Sequence, residues 1–213
     1  SDSFVHLHVH SEYSMLDGAA RIKPLMEATA KEGMPAIAMT DHGNTFGAFE
    51  FASAAQAAGV KPIIGMEAYV TPGTHRSDKT RVRWGTPDQN DDDVSGSGAY
   101  THMTLLAENT TGMHNLFRMS SLASIEGYYF KPRIDRELLE RYSKGVIATT
   151  GCVGGEVQTR LRLGQYDAAR AAAADFRDIF GKDNFFAEIM DHGIEVQRKI
   201  QSEMLRLAKD HGL

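Results

Sequence analysis

An α/β fold with parallel strands and crossover helices is the expectation for this chain, and three observations carry it. Short apolar runs alternate with helix-like segments from one end to the other. Six such runs read as strands, each leading into a helix. Side chains able to bind metal collect at the ends of these runs, where α/β enzymes keep their chemistry. A (β/α) barrel is the first expectation and an open sheet the second. The 213 residues suit one domain, or at most two.

The elements follow in order. Residues 4–9 are strand-like. Residues 22–32 are helical, entered through Pro24 in the first turn and closed by Gly33. Residues 36–40 form a short apolar strand ending at Asp41-His42-Gly43, and the alanine-rich 46–58 is a helix stopped by Gly59. Residues 62–70 are the third strand. The polar stretch 72–99, rich in Gly, Ser and Asp, reads as a long insertion loop on the surface. Beyond it come a strand at 100–107, a helix at 113–125 and a strand at 145–149. Helices at 155–163 and 166–180, a strand at 185–190 and an amphipathic helix at 194–211 complete the series. The run of alanines at 171–174 is helix propensity and packing.

Composition excludes several classes. A net charge of -5 and a pI near 6.0 are not those of a free-standing nucleic-acid binder. Any grip on DNA has to come largely from metals or from other parts of a larger protein. A single cysteine, Cys152, allows no internal disulfide and suits a reducing cytoplasm. No signal peptide is visible, and no apolar run nears the ~18 residues of a membrane span. A start at Ser1 and a stop at Leu213 suggest cuts in a longer protein.

The first strand reads Val5-His6-Leu7-His8-Val9-His10. Strand side chains alternate faces, so three imidazoles share one face, a pattern that packing does not explain and metal binding does. Asp17 follows this strand, Asp41 and His42 follow the second, and Glu67 lies in the third. His102 opens the fourth, Cys152 follows the fifth, and Asp191 and His192 follow the sixth. Imidazole, carboxylate and thiolate together suit Zn²⁺, Mn²⁺ or Fe²⁺ better than Mg²⁺ or Ca²⁺. The donors exceed the needs of one ion, so two or three divalent metals are expected, an arrangement used to hydrolyse phosphate esters.

The stretches His6-Leu7-His8-Val9-His10-Ser11-Glu12-Tyr13-Ser14-Met15-Leu16-Asp17-Gly18, Met39-Thr40-Asp41-His42-Gly43-Asn44 and Ile64-Gly65-Met66-Glu67-Ala68-Tyr69 closely resemble the motifs of the PHP (polymerase and histidinol phosphatase) family. The resemblance covers essentially the whole chain. The stretch beginning Tyr100-Thr101-His102, then Glu126-Gly127-Tyr128-Tyr129-Phe130-Lys131-Pro132-Arg133, and Thr149-Thr150-Gly151-Cys152 resemble the branch of the family found in bacterial replicative DNA polymerases. The resemblance implies a distorted (β/α)7 barrel with three overlapping metal sites. His8, His10 and Glu67 would hold the first, Glu67, His102 and Cys152 the second, while Asp17 and His42 would contribute to the third. A metal-bound water in this cluster would be the nucleophile. The family's last motif, an Asp-x-His pair on the seventh strand, is absent, as expected if the chain was cut before it. The implied activity is a 3′→5′ exonuclease that edits the DNA primer 3′ end. Its implied partners are the remaining polymerase domains and replisome subunits such as the sliding clamp. A catalytically silent docking module and a histidinol-phosphatase-type phosphoesterase are the alternatives.

Other residues have plainer readings. His6 is expected behind the ligands rather than on a metal, Asp41 as a support or helix cap, and His192 on the rim of the site or in a cap. Lys131, Arg133 and Tyr129 are candidates for DNA contacts, or for a loop packed on the polymerase body. Trp84 either stacks on a base or anchors the long loop. Arg160 and Arg162 are expected to face solvent.

Overall fold

The structure is a computed structural model that describes residues 4–213, with the side chains of 90–92 left aside. It opens with an extended segment and a 3-10 turn at Glu12–Ser14, followed by α1 (Ile22–Lys31), β1 (Ala36–Met39), α2 (Ala48–Ala58) and β2 (Lys61–Val70). A 3-10 stretch at Pro87–Asp92 and a single turn, α3 (Ser95–Gly98), precede β3 (Thr101–Ala107) and α4 (Thr110–Glu126). Then come β4 (Arg133–Ile134), α5 (Arg136–Tyr142), β5 (Val146–Thr149), α6 (Glu156–Arg162), α7 (Tyr166–Phe180), β6 (Phe185–Phe186) and α8 (Glu195–His211).

The strands form one sheet in the order β1-β2-β3-β5-β6, with β4 attached to β2. This sheet is not closed into a barrel, nor is it all parallel. β1 runs parallel to β2 and β5 to β6, but β3 is antiparallel to both β2 and β5. The connection fits the reversal. A parallel return is usually made by a crossover helix, and between β2 and β3 the chain has only the 3-10 stretch and the single turn α3. One consequence positions the site. His102, at the start of β3, pairs with Tyr69 near the end of β2, so both lie at the same edge of the sheet.

The expected first strand is an extended segment laid along β1 without a regular ladder. Ala38 N donates to His6 O (2.9 Å), and Thr40 N donates to Val9 O (2.8 Å). The expected strand at 185–190 shortens to Phe185–Phe186.

Two apolar clusters cover the sheet. Ile22, Met26, Ile37, Met39, Phe51 and Ala55 join α1 and α2 to β1. The larger cluster packs α4 to α8 on β2, β3, β5 and β6. α7 shows why these residues form helices. Ala169, Ala172, Ala173, Phe176 and Phe180 are buried at helical spacing while the charged residues face out. Each fully buried Phe contributes about 1.5–3 kcal/mol. α8 is seated the same way by Ile200, Met204 and Leu207.

The segment 72–99 is tied down rather than loose. Arg76 pairs with Asp135 (3.0 Å) and with Glu126 (2.6 Å). Trp84 is an anchor. The Arg160 guanidinium lies 3.7 Å above its ring, and its carbonyl accepts from Gln165 Nε2 (2.7 Å). Arg160 therefore covers Trp84 instead of facing solvent. Arg162 is also engaged, donating to Thr159 Oγ1 (3.1 Å).

Candidate metal centre

Seven of the side chains singled out in the sequence come together at the edge where β1, β2 and β5 end and β3 begins. Glu67 is at their centre, with only 1% of its surface exposed. Its Oε2 lies 2.5 Å from His10 Nε2, 3.2 Å from His8 Nε2 and 3.4 Å from His42 Nδ1. Its Oε1 lies 2.6 Å from His102 Nδ1 and 3.4 Å from Cys152 Sγ. Asp17 joins the two outer imidazoles, with Oδ2 at 2.7 Å from His42 Nε2 and 3.1 Å from His10 Nδ1. Within this cluster three groups of donors are close enough to share an ion: His8 with His10 and Glu67, His10 with Asp17 and His42, and His42 with Glu67 and His102.

Aromatic rings wall the cluster. Tyr69 stacks on His42 (centroids 5.8 Å apart) and Tyr100 on His102 (5.7 Å). Gly43 has φ +65°, and a Cβ there would meet the Tyr69 ring at 2.7 Å, so a side chain at 43 would push the wall away from His42.

The supporting residues are equally specific. Asp41 is fully buried and does not reach the cluster. It accepts from Ser11 N (2.7 Å), Ser11 Oγ (2.7 Å) and Ser14 Oγ (2.8 Å). Ser14 Oγ in turn accepts from His42 N (3.0 Å), so Asp41 fixes the turn that carries His42. His6 is exposed, its ring edge-on to Phe4 at 4.8 Å, and stands apart from the donors. His192 is exposed and tied to Gln197 at the start of α8, its N donating to Oε1 (2.8 Å).

Arg133 departs from the sequence reading. It is fully buried, and its guanidinium is spent on backbone carbonyls, so it is not available to DNA. Lys131 and Tyr129 are half-buried, with Lys131 Nζ 5.6 Å from the Tyr69 ring centroid.

Sequence reasoning missed Glu188. Its Oε1 lies 2.7 Å from His8 Nδ1. The signal was present, because a carboxylate inside the apolar run Phe185-Phe186-Ala187-Glu188-Ile189-Met190 is as anomalous as Glu67 in its own strand.

Crowding of donors sets the electrostatics. Burial works against the charged form of Glu67, yet hydrogen bonds from His10, His102 and His8 hold its carboxyl far below the usual range. Burial likewise opposes the imidazolium of His8, but Glu188 and Glu67 outweigh it and raise its pKa to about 10. His10 is also raised, against burial, by Glu67 and Asp17. Glu188 is lowered, against burial, by His8, Thr149 and Thr104. Burial and the neighbouring Glu67 push the Cys152 thiol up.

These shifts set a pH dependence for the metal-free protein. The His8 contribution is complete below the ordinary 6.5 and is lost as pH rises through about 10. The Glu188 contribution is complete above the ordinary 4.5 and is lost as pH falls below it. Both are present between 4.5 and 6.5. Urea unfolding of chelator-treated protein is expected to show stability draining away toward pH 10. Added zinc should reverse that loss, because metal binding releases the imidazole protons. A flat alkaline arm in the metal-free protein would contradict this account.

The residues fit a metal cluster. His42 Nδ1 is buried, has no hydrogen-bond partner and is aimed at Glu67. One carboxylate cannot satisfy four imidazoles and a thiol by proton sharing without packing like charges together, whereas cations between the donors satisfy them all. The clustered His and Glu groups are consistent with a multi-metal site of the PHP type.

Comparison with known proteins identifies the family of the chain. Residues 6–192 match the PHP domain. The chain is 57% identical to the DNA polymerase III subunit alpha of Saccharopolyspora erythraea, over all of this chain and 18% of that protein. It is 56% identical to the Mycobacterium tuberculosis subunit, over 97% of this chain and again 18% of the relative. The chain thus spans under a fifth of the relatives it matches. Among solved structures, an amidohydrolase of Chromobacterium violaceum, with bound sulfate and no metal, superposes with a TM-score of 0.56. The match covers 98% of this chain and 84% of that one at 16% identity, a likeness of fold. The chain belongs to the PHP domain family.

Proposed function

We propose that this domain is the editing nuclease of a replicative DNA polymerase, a metal-dependent 3′→5′ exonuclease acting on mispaired primer ends in the cytoplasm. The observation that supports it best is the convergence of seven donors on and around the buried Glu67 carboxylate. His8, His10 and Glu67 would hold one Zn²⁺ or Mn²⁺. Glu67, His102 and Cys152 would hold a second, and Asp17 with His42 would hold part of a third. Bound divalent ions supply an activated water and neutralise charge at a phosphodiester.

The chain's own residues do the rest. Glu67 holds the two halves of the cluster at a fixed spacing. Tyr69 and Tyr100 keep the His42 and His102 rings in place and exclude water behind them. Lys131, whose Nζ lies 5.6 Å from the Tyr69 ring centroid, and Tyr129 would meet the phosphate and base of a single-stranded end. With a net charge of -5, the chain depends on its metals and on the other polymerase domains for the main grip on DNA.

The barrel reading belongs to the same proposal. An open groove of about 1060 Å³ runs between residues 4–8 on one side and 186–192 on the other. Its walls are the extended first segment and the end of β6. A seventh strand carrying an Asp-x-His pair would fill it, the Asp completing the first metal site and the His the third. Contacts with a sliding clamp would come from other regions of the polymerase.

The test is 3′-end trimming of a mismatched primer–template by the full-length chain loaded with Mn²⁺ or Zn²⁺. Trimming is expected and should vanish with Asp17→Asn, since Asp17 joins His10 to His42. A folded, metal-loaded protein that trims nothing would leave a docking module of the polymerase.

A further inference from the structure

We propose that Glu188 is the positioning carboxylate of the centre, fixing the His8 imidazole so that Nε2 is presented to a metal beside Glu67. The inference rests on the metal-centre reading and adds a residue to it.

Glu188 is held through its backbone N and both carboxylate oxygens. Its backbone N donates to Thr150 Oγ1 (3.0 Å), and Thr150 N donates back to Phe186 O (3.0 Å), which closes the turn after β6. Thr104 on β3 and Thr149 on β5 are register partners, so their hydroxyls stand side by side. Both donate to Glu188 Oε2, Thr104 at 3.2 Å and Thr149 at a shorter distance. That leaves Oε1 to face His8 Nδ1 at 2.7 Å. Thr104 Oγ1 also lies 3.1 Å from Nδ1, so the ring is gripped from two sides.

The consequence for His8 is a fixed tautomer. A carboxylate accepts and cannot donate, so the proton of a neutral imidazole sits on Nδ1. The lone pair then falls on Nε2, 3.2 Å from Glu67 Oε2. In the metal-free protein a proton on Nε2 bridges these two atoms, and a bound cation would take that proton's place. A carboxylate behind a ligating imidazole also makes the ligand more basic. Glu188 therefore orients the ring, selects the tautomer and strengthens the donor, while touching neither substrate nor metal.

The experiment measures zinc affinity by chelator competition in the full-length chain. The variants are Glu188→Gln and Glu188→Ala, each alone and combined with His8→Ala. Loss of the carboxylate is expected to weaken zinc binding by about 10-fold for Gln and toward 100-fold for Ala. Both losses should disappear in the His8→Ala background, because Glu188 acts through that ring. A residue that merely supports the fold would instead cost the same in either background. Unchanged affinity in a folded Glu188 variant, or a loss that persists without His8, overturns the inference and leaves the metal centre standing. Should Glu188→Ala fail to fold, Glu188→Gln has nearly the same shape and gives the same two readouts. A wild-type chain that takes up no zinc overturns the metal centre and this inference together.

Discussion

Glu67→Gln is expected to strip the centre of metal and to bring the metal-free protein close to its limit of stability. The substitution keeps the shape of the side chain and removes its charge. Five groups from four other parts of the chain face that carboxylate, between 2.5 Å (His10) and 3.4 Å (His42, Cys152). In the proposed arrangement Glu67 bridges two ions, so each loses a ligand at once. Removing a group that only supports a ligand costs about 10–100-fold in affinity, so a loss of at least about 100-fold is expected here. The metal-free protein suffers separately. With 1% exposure, Glu67 is the counter-charge for imidazoles that burial alone would keep neutral. Taking away one partner of a buried charge pair costs about 3–5 kcal/mol, set against a total stability of roughly 5–15 kcal/mol. Metal content after dialysis tests the first effect and urea unfolding with chelator the second. Full zinc occupancy in Glu67→Gln would remove Glu67 from the metal centre, whatever the unfolding shows.

The site was legible in the sequence to a degree the sheet was not. Candidate metal donors stand out because they break an apolar pattern. His8 and His10 alternate with Val9, and Glu67 interrupts Met66 and Ala68, where burial of a lone charge has no packing purpose. Strand direction leaves no such trace. β3 has the apolar character of a parallel strand, being buried on both faces, and only the lack of a crossover-length helix between β2 and β3 separates the alternatives. β4 has two residues and no periodicity to read. α5 was not expected from the sequence, although its signal is there: Asp135 caps it by accepting from Leu138 N (3.0 Å) ahead of the apolar pair Leu138 and Leu139. Glu188 carries the same signal as Glu67, a carboxylate inside an apolar run.

Arg133→Lys is expected to destabilise the protein by about 3 kcal/mol or more and to release the segment 72–99. A charge beside aromatic residues suggests a surface that grips DNA, but this guanidinium sits at 0% exposure and is satisfied by main chain. Nε donates to Gly127 O (3.0 Å) and Nη1 to Ala99 O (3.2 Å). Nη2 donates to both Arg76 O (2.8 Å) and Asp78 O (2.9 Å). The acceptors come from the two ends of the 72–99 segment and from the turn before β4, so one planar fork joins three stretches of chain. The Tyr129 ring closes over it, 5.1 Å from the guanidinium carbon. Burial disfavours the charge and lowers the Arg133 pKa, a cost that only a full set of acceptors offsets. Lysine keeps the charge but not the fork. Its ammonium is a compact group that cannot reach acceptors spread along three directions, and each buried carbonyl left without a donor costs about 1–3 kcal/mol. Denaturant unfolding measures the loss. Trypsin measures the release, since Lys79, Arg81 and Arg83 lie in the freed segment. Faster cleavage there, together with lower stability, is the signature of a structural arginine. Unchanged stability and cleavage with weaker binding of single-stranded DNA would instead return Arg133 to the DNA-contacting surface.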